Sequence, residues 1–202
     1  MYNSSDIQDE FCLLQIKPLV VGGLQKSVYL TENKEEDIFC KSDIVLGDGL
    51  TDSIFNIIYV DFNSFDRSLT RNIAKEIELF NRQLGKENPY LLLGPGRWGT
   101  ADPWLGIPVN WKQISYAKTI VEFGIDELNP EPSFGSHFFQ NVTSLRIGYF
   151  TLQNINKGAE IDIDWLNNQP VKQATKFIRW IVLEDPLHIR IDGSTGEGLI
   201  LK

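Results

Sequence analysis

The sequence predicts a mixed fold, of the α/β or α+β kind, on three observations. Short β-branched and aromatic runs recur along the chain, with Ile57-Ile58-Tyr59-Val60 the plainest of them. One stretch carries its apolar residues at helical spacing, at Ile73, Ile77, Phe80 and Leu84. The chain closes in a hairpin pattern: alternating His188-Ile189-Arg190-Ile191-Asp192, a turn at Gly193-Ser194-Thr195-Gly196, and a return through Gly198-Leu199-Ile200-Leu201.

Taken in order, Glu10 to Leu19 reads as a short buried strand ended by Pro18. Gly22-Gly23 makes a turn, Ser27 to Leu30 a short strand, and Glu32 to Asp37 a charged link. The glycine turn around Gly47 and Gly49 leads into the strand Ile54 to Val60. Ser68 or Thr70 caps a helix that runs to Leu84, and Gly85 stops it. Tyr90 to Leu93 is a buried strand ending in the loop Gly94-Pro95-Gly96-Arg97-Trp98-Gly99. Ile114 to Phe123 fits a helix face and a strand equally well. A loop rich in Pro, Gly and Ser then precedes a helical stretch, Phe138 to Leu145. Ile147 to Leu152 and Phe177 to Leu183 are strands, and Asp162 and Asp164 alternate with Ile161 and Ile163 as on an exposed strand face.

Composition narrows the function. The 202 residues are 42% hydrophobic and 23% charged, enough to bury a core. A net charge of −8 argues against a nucleic-acid partner, because a phosphate backbone rewards a basic face. No segment has the length and apolarity of a membrane span, and the polar start lacks the pattern of a signal peptide. Cys12 and Cys40 give neither a disulfide framework nor a metal pattern, so a reduced cytoplasmic setting is the expectation.

Two segments carry candidate chemistry. His137, one of 2 histidines, stands where the loop meets the helical stretch. There it would face unpaired N–H groups and the positive end of the helix dipole, a place suited to a phosphoryl group on an imidazole nitrogen. The plainer alternative is a loop histidine packed among Phe134, Phe138 and Phe139. In the second segment, Gly94, Gly96 and Gly99 would let backbone approach an anion, with Arg97 as a phosphate partner. The alternative is a tight structural turn with Trp98 packed under Trp104 or Trp111. The loop lacks the Lys-Ser/Thr of a P-loop. Asp102, Glu122, Asp126, Glu127 and Glu131 read as solvated surface, and His188 as the polar face of its hairpin.

Three stretches resemble the phosphoenolpyruvate synthase and pyruvate phosphate dikinase family. Glu10, Gln15, Lys17 and Pro18 are similar to the last strand of that family's ATP-grasp domain, with Lys in place of Arg. Gly135-Ser136-His137-Phe138-Phe139, followed by Leu145-Arg146-Ile147, resembles the family's phosphohistidine segment, with Phe-Phe in place of Ala-Ala. Ile191-Asp192-Gly193 and the return strand resemble the end of its swivelling domain. Over most of its length the chain also looks like the C-terminal end of large bacterial PEP/pyruvate-binding proteins. The residues that carry this are Leu93 to Gly99, Asp102 to Val109 and Gly135 to Asn141.

The resemblance implies an α/β fold: a swivelling β/β/α phosphohistidine-like domain over 21–202 with a mixed sheet and flanking helices, preceded by a terminal ATP-grasp strand in 1–20. It implies a phosphotransferase parent of the pyruvate, water dikinase kind, using ATP and Mg²⁺, with this piece inactive alone and holding no metal of its own. His137 would be the carrier, Ser136 a hydrogen-bond partner of the phosphoryl group, and Arg97 with Gly94, Gly96 and Gly99 the phosphate contact. Glu10, Gln15 and Lys17 would be the remnant of a nucleotide site. Partners would be the upstream ATP-grasp domain and PEP or pyruvate, with a homodimer left open. The rival reading is a non-catalytic docking module that uses the surface from Gly94 to Trp111.

Overall fold

The computed structural model describes residues 34–129 and 137–202. The expected strands in 10–19 and 27–30, and the boundary near residue 20, lie outside the described residues. The remainder is an α/β protein built on one large mixed sheet. In chain order the elements are β1 (Ile38–Ser42), β2 (Val45–Leu46), β3 (Gly49–Val60), α1 (Thr70–Leu84), β4 (Tyr90–Pro95), β5 (Arg97–Trp98) and β6 (Gly106–Ile107). They continue with β7 (Ala117–Gly124), α2 (His137–Ser144), β8 (Gly148–Asn154), α3 (Ile163–Asn168), β9 (Val171–Ala174), β10 (Ile178–Asp192) and β11 (Glu197–Leu201).

The strands follow the order β1-β11-β10-β3-β4-β7-β8-β2, with β9 attached to β10. The run β3-β4-β7-β8 is parallel and the other pairings are antiparallel. The two ends of this order, β1 and β2, are consecutive in the chain and separated only by Asp43 and Ile44. At that step the Ser42 hydroxyl donates to the Thr151 carbonyl at 2.6 Å, and the Thr151 amide donates to the Ile44 carbonyl at 2.9 Å. The sheet therefore curls round and closes on itself, which leaves few free strand edges.

Closure divides the core by strand periodicity. Neighbouring residues on one strand face opposite ways. Ile57, Leu91, Val121 and Phe150 join the inner cluster, which also takes Phe39 of β1, Ile200 of β11 and Leu166 of α3. Ile58, Leu92, Ile120 and Tyr149 join the outer cluster, under the helices. Helix α1 contributes Ile73, Ile77, Phe80 and Leu84 to it, each worth about 1.5–3 kcal/mol on full burial. The Asp66 side chain caps the short turn before α1 by accepting from the Ser68 amide at 2.8 Å, so neither Ser68 nor Thr70 is the cap. Gly85 ends α1 with a φ of +64°.

The structure corrects or sharpens other expectations. Ile114 to Phe123 resolves as strand β7, because parallel partners on both sides, β4 and β8, complete its backbone bonding. The two expected strands at Phe177 and His188 are one strand, β10, whose pairing to β3 shifts register between Val182 and Leu187. Asp162 and Asp164 do not lie on a strand face: Asp162 caps α3 by accepting from the Trp165 amide at 2.8 Å, and Asp164 sits in its first turn. Among the described residues, no helix is long and apolar enough to cross a membrane.

Candidate functional site

The carboxyl ends of parallel strands are where α/β sheets hold ligands. Here β4 runs out through Gly94 and Pro95 into the turn that carries Arg97 and Trp98. Each glycine of this turn has a packing reason. A Cβ on Gly94 would come within 2.6 Å of the Trp98 ring. The ring seats there, with its indole N–H donating to the Val121 carbonyl at 3.1 Å. Trp98 is thus buried against β4 and β7 and does not need Trp104, which is 62% exposed. Gly96 turns the chain at φ +70°.

The amides of the turn are engaged within the fold. Gly96 donates to the Phe123 carbonyl at 2.9 Å, Arg97 to Leu105 at 3.0 Å and Gly99 to Ile107 at 3.0 Å. Their N–H groups do not form an open cradle. What the turn offers an anion is the half-buried Arg97 side chain. Among the described residues, no carboxylate comes within ion-pair distance of its guanidinium.

Helix α2 is described over His137–Ser144, the stretch that the sequence predicts as helical from Phe138 to Leu145. The His137 side chain and Ser136 lie outside what the structure describes, as do Glu10, Gln15 and Lys17 of the nucleotide-site expectation. The backbone of α2 still fixes the geometry. A Cβ on Gly99 would overlap the Phe138 ring, so the end of the Arg97 turn abuts the residue after His137. The Phe138-Phe139 pair fills this corner. Phe138 packs edge-on to Trp111 with centroids 6.2 Å apart, and Phe139 to Tyr149 at 4.9 Å.

Tyr149 links this aromatic corner to a buried acid. Its hydroxyl donates to the Glu122 carboxylate at 2.5 Å, and the Thr151 hydroxyl donates to the same group at 2.9 Å. The Trp98 backbone N–H adds a further bond. Glu122 is 1% exposed and is the one buried acidic residue among those described. The expectation that it is solvated surface is therefore overturned. It stands on the outer face of β7, beside Thr151 in the β7–β8 register. Burial pushes the Glu122 carboxyl above its ordinary range, while the Tyr149 and Thr151 hydroxyls, the Trp98 N–H and the nearby Arg97 charge pull it down. Tyr149 is pushed well up by burial and by the Glu122 charge.

Compared with known proteins, the chain matches no family model, no curated protein and no solved structure. Its chemistry must be argued from the site itself. The other acidic residues are as expected: Asp102, Asp126 and Glu127 are exposed, and Glu131 lies outside the described residues. Among the described residues, no group of three or more His, Cys, Asp or Glu is placed to hold a metal ion. His188, partly exposed on β10, pairs with Asp52 at 2.9 Å, and Asp52 also accepts from Arg190. That cluster lies on β3 and β10, apart from the Arg97 turn.

The Glu122 cluster had no sequence signature. A single acid between Val121 and Phe123 looks like one polar step on a strand, and its hydroxyl partners lie 27 and 29 residues away.

Proposed function

We propose that this chain is a phosphoryl-carrier domain of the phosphoenolpyruvate synthase kind, with His137 as the carrier and Arg97 as the contact to the phosphoryl group. One observation carries the reading: the Arg97 turn abuts the start of α2 at Gly99 and Phe138. Arg97, which among the described residues makes no ion pair within 4 Å, then belongs to a turn packed against helix α2, whose first described residue is His137. A guanidinium and a helix N-terminus each favour an anion, and in this reading the two act on the same group.

In this reading a nitrogen of the His137 imidazole attacks the phosphorus of the donor. The bond from phosphorus to the donor oxygen breaks, and the phosphoryl group rests on the ring until an acceptor oxygen takes it. Arg97 and the N–H groups at the start of α2 offset the charge of the moving group. Ser136 would serve as a hydrogen-bond partner. The described residues offer no carboxylate cluster for Mg²⁺. In this reading ATP and Mg²⁺ belong to a nucleotide-binding unit of the same protein, to which Glu10, Gln15 and Lys17 would contribute. The swivelling β/β/α architecture, PEP or pyruvate as the small partner, and a cytoplasmic setting are parts of the same proposal.

The test is to incubate the protein, within its parent, with labelled ATP or phosphoenolpyruvate. An acid-labile, base-stable label that disappears in His137→Ala and weakens in Arg97→Gln supports the reading. Label retained in His137→Ala removes it.

A docking role for the same region has one observation in its favour. Trp104 and Leu105 are 62% and 45% exposed at the tip between β5 and β6. If docking is the whole function, Trp104→Ala abolishes capture of the upstream domain while His137→Ala changes nothing.

A further inference from the structure

Glu122 has no part in the reaction just described, yet it is placed to act on it. It is the one buried acidic residue among those described, and the backbone N–H of Trp98, the residue after Arg97 on β5, donates to it. Two of its hydrogen-bond partners, Tyr149 and Thr151, are hydroxyls. A hydroxyl accepts as readily as it donates. The pocket can therefore hold the acid ionised, with both hydroxyls donating, or protonated, with one of them reversed.

We propose that occupation of the Arg97 site by an anion is coupled to uptake of one proton by Glu122, so that the site holds a phosphorylated ligand more tightly as the pH falls. The proposal rests on the reading of Arg97 as the anion contact. Its physical basis is charge. With the site empty, the Arg97 guanidinium helps to stabilise the buried carboxylate. A dianion drawn to Arg97 neutralises that help and adds like charge beside a group already short of solvent. The proton comes from solvent and goes to a carboxylate oxygen, and the nearby charge becomes less negative by one. Among the described residues, the titratable and charged groups against Glu122 are Tyr149 from β8 and Arg97 from β5. Burial and the Glu122 charge push Tyr149 well above its ordinary range, so it stays neutral.

The probe is sulfate, whose own charge stays constant across the range from mildly acid to neutral. Calorimetry in buffers of different ionisation heat counts the protons taken up on binding. The infrared difference spectrum, read on the unaltered protein, reports the carbonyl stretch of a newly protonated carboxylic acid. The expected result is uptake approaching one proton, an acid carbonyl band on sulfate addition, and affinity that falls by up to roughly tenfold per pH unit as pH rises. In Glu122→Gln the uptake and the band vanish and the affinity becomes flat with pH. Sulfate that binds through Arg97 without an acid band, or with the same proton uptake in Glu122→Gln, overturns the coupling and leaves the anion site standing. Sulfate that fails to bind, or binds equally well to Arg97→Gln, overturns the anion site and the coupling with it.

Discussion

Gly99 lies flush against the Phe138 ring, so that a Cβ on residue 99 would overlap the ring carbon Cδ2. This contact joins the turn after β4 to the first turn of α2, and with it Arg97 to the segment that begins at His137. It also explains why a Phe occupies the position after the histidine. Phe138 fills a corner bounded by Trp111, Phe139 and Tyr149.

Gly99→Ala is the direct test of that contact. Residue 99 has a φ of +70°, so any side chain is strained there, and this one also meets the ring. Left-handed strain of about 1–2 kcal/mol and overpacking of about 1–3 kcal/mol act together. The expected loss by urea unfolding is about 2–5 kcal/mol. Gly85→Ala is the control: its φ is +64° but nothing lies within 4 Å of the added Cβ. With a ψ of −171° it should lose only the backbone strain, about 1–3 kcal/mol.

Tyr149→Phe should cost about 1–3 kcal/mol of unfolding free energy, because it deprives a buried carboxylate of a donor. The cost should shrink in a Glu122→Gln background, where no charge is left wanting. A double-mutant cycle reads the difference. Equal costs in both backgrounds would show that the hydroxyl stabilises the fold through something other than Glu122.

The pH dependence of stability has two contributions of opposite sign. Burial holds Glu122 above its ordinary range in the native state. Its contribution is therefore full below the unfolded value of about 4.3 and is lost as pH rises through the native value. Glu122→Gln should gain on the unaltered protein as pH is raised across that window. Asp162 runs the other way. The Lys202 ammonium at 2.6 Å and the Trp165 amide hold its carboxyl below the ordinary range. Its contribution is present above about pH 3.9 and is lost as pH falls through the depressed native value. Asp162→Asn should show a shallower acid limb in denaturant midpoints.

Local pattern made α1, the terminal hairpin and the helix that follows the Pro-, Gly- and Ser-rich loop legible in the sequence. In each case short-range periodicity and a turn residue agree with the tertiary fold. Closure of the sheet was not legible, since it depends on β1 and β2 bonding opposite ends of one strand order. Helix α3 was misread because six residues give too few turns to set helical spacing apart from alternation, and Asp162 works as a cap. Glu122 was misread because its partners come from β8 and from the Trp98 backbone. The candidate site was legible as two separate segments, Gly94 to Gly99 and the His137 stretch. Their meeting at Phe138 and the acid beneath them were visible only in three dimensions.

The most direct test of the carrier reading uses both histidines. Phosphoramidate donates a phosphoryl group to histidine without any partner domain, and peptide mapping then locates it. His188 is the internal reference, partly exposed and paired with Asp52. The account predicts that phosphate enters at His137 well ahead of His188, and that Arg97→Gln removes the advantage. Label that builds up at His188 first, or at both at rates indifferent to Arg97, would contradict it.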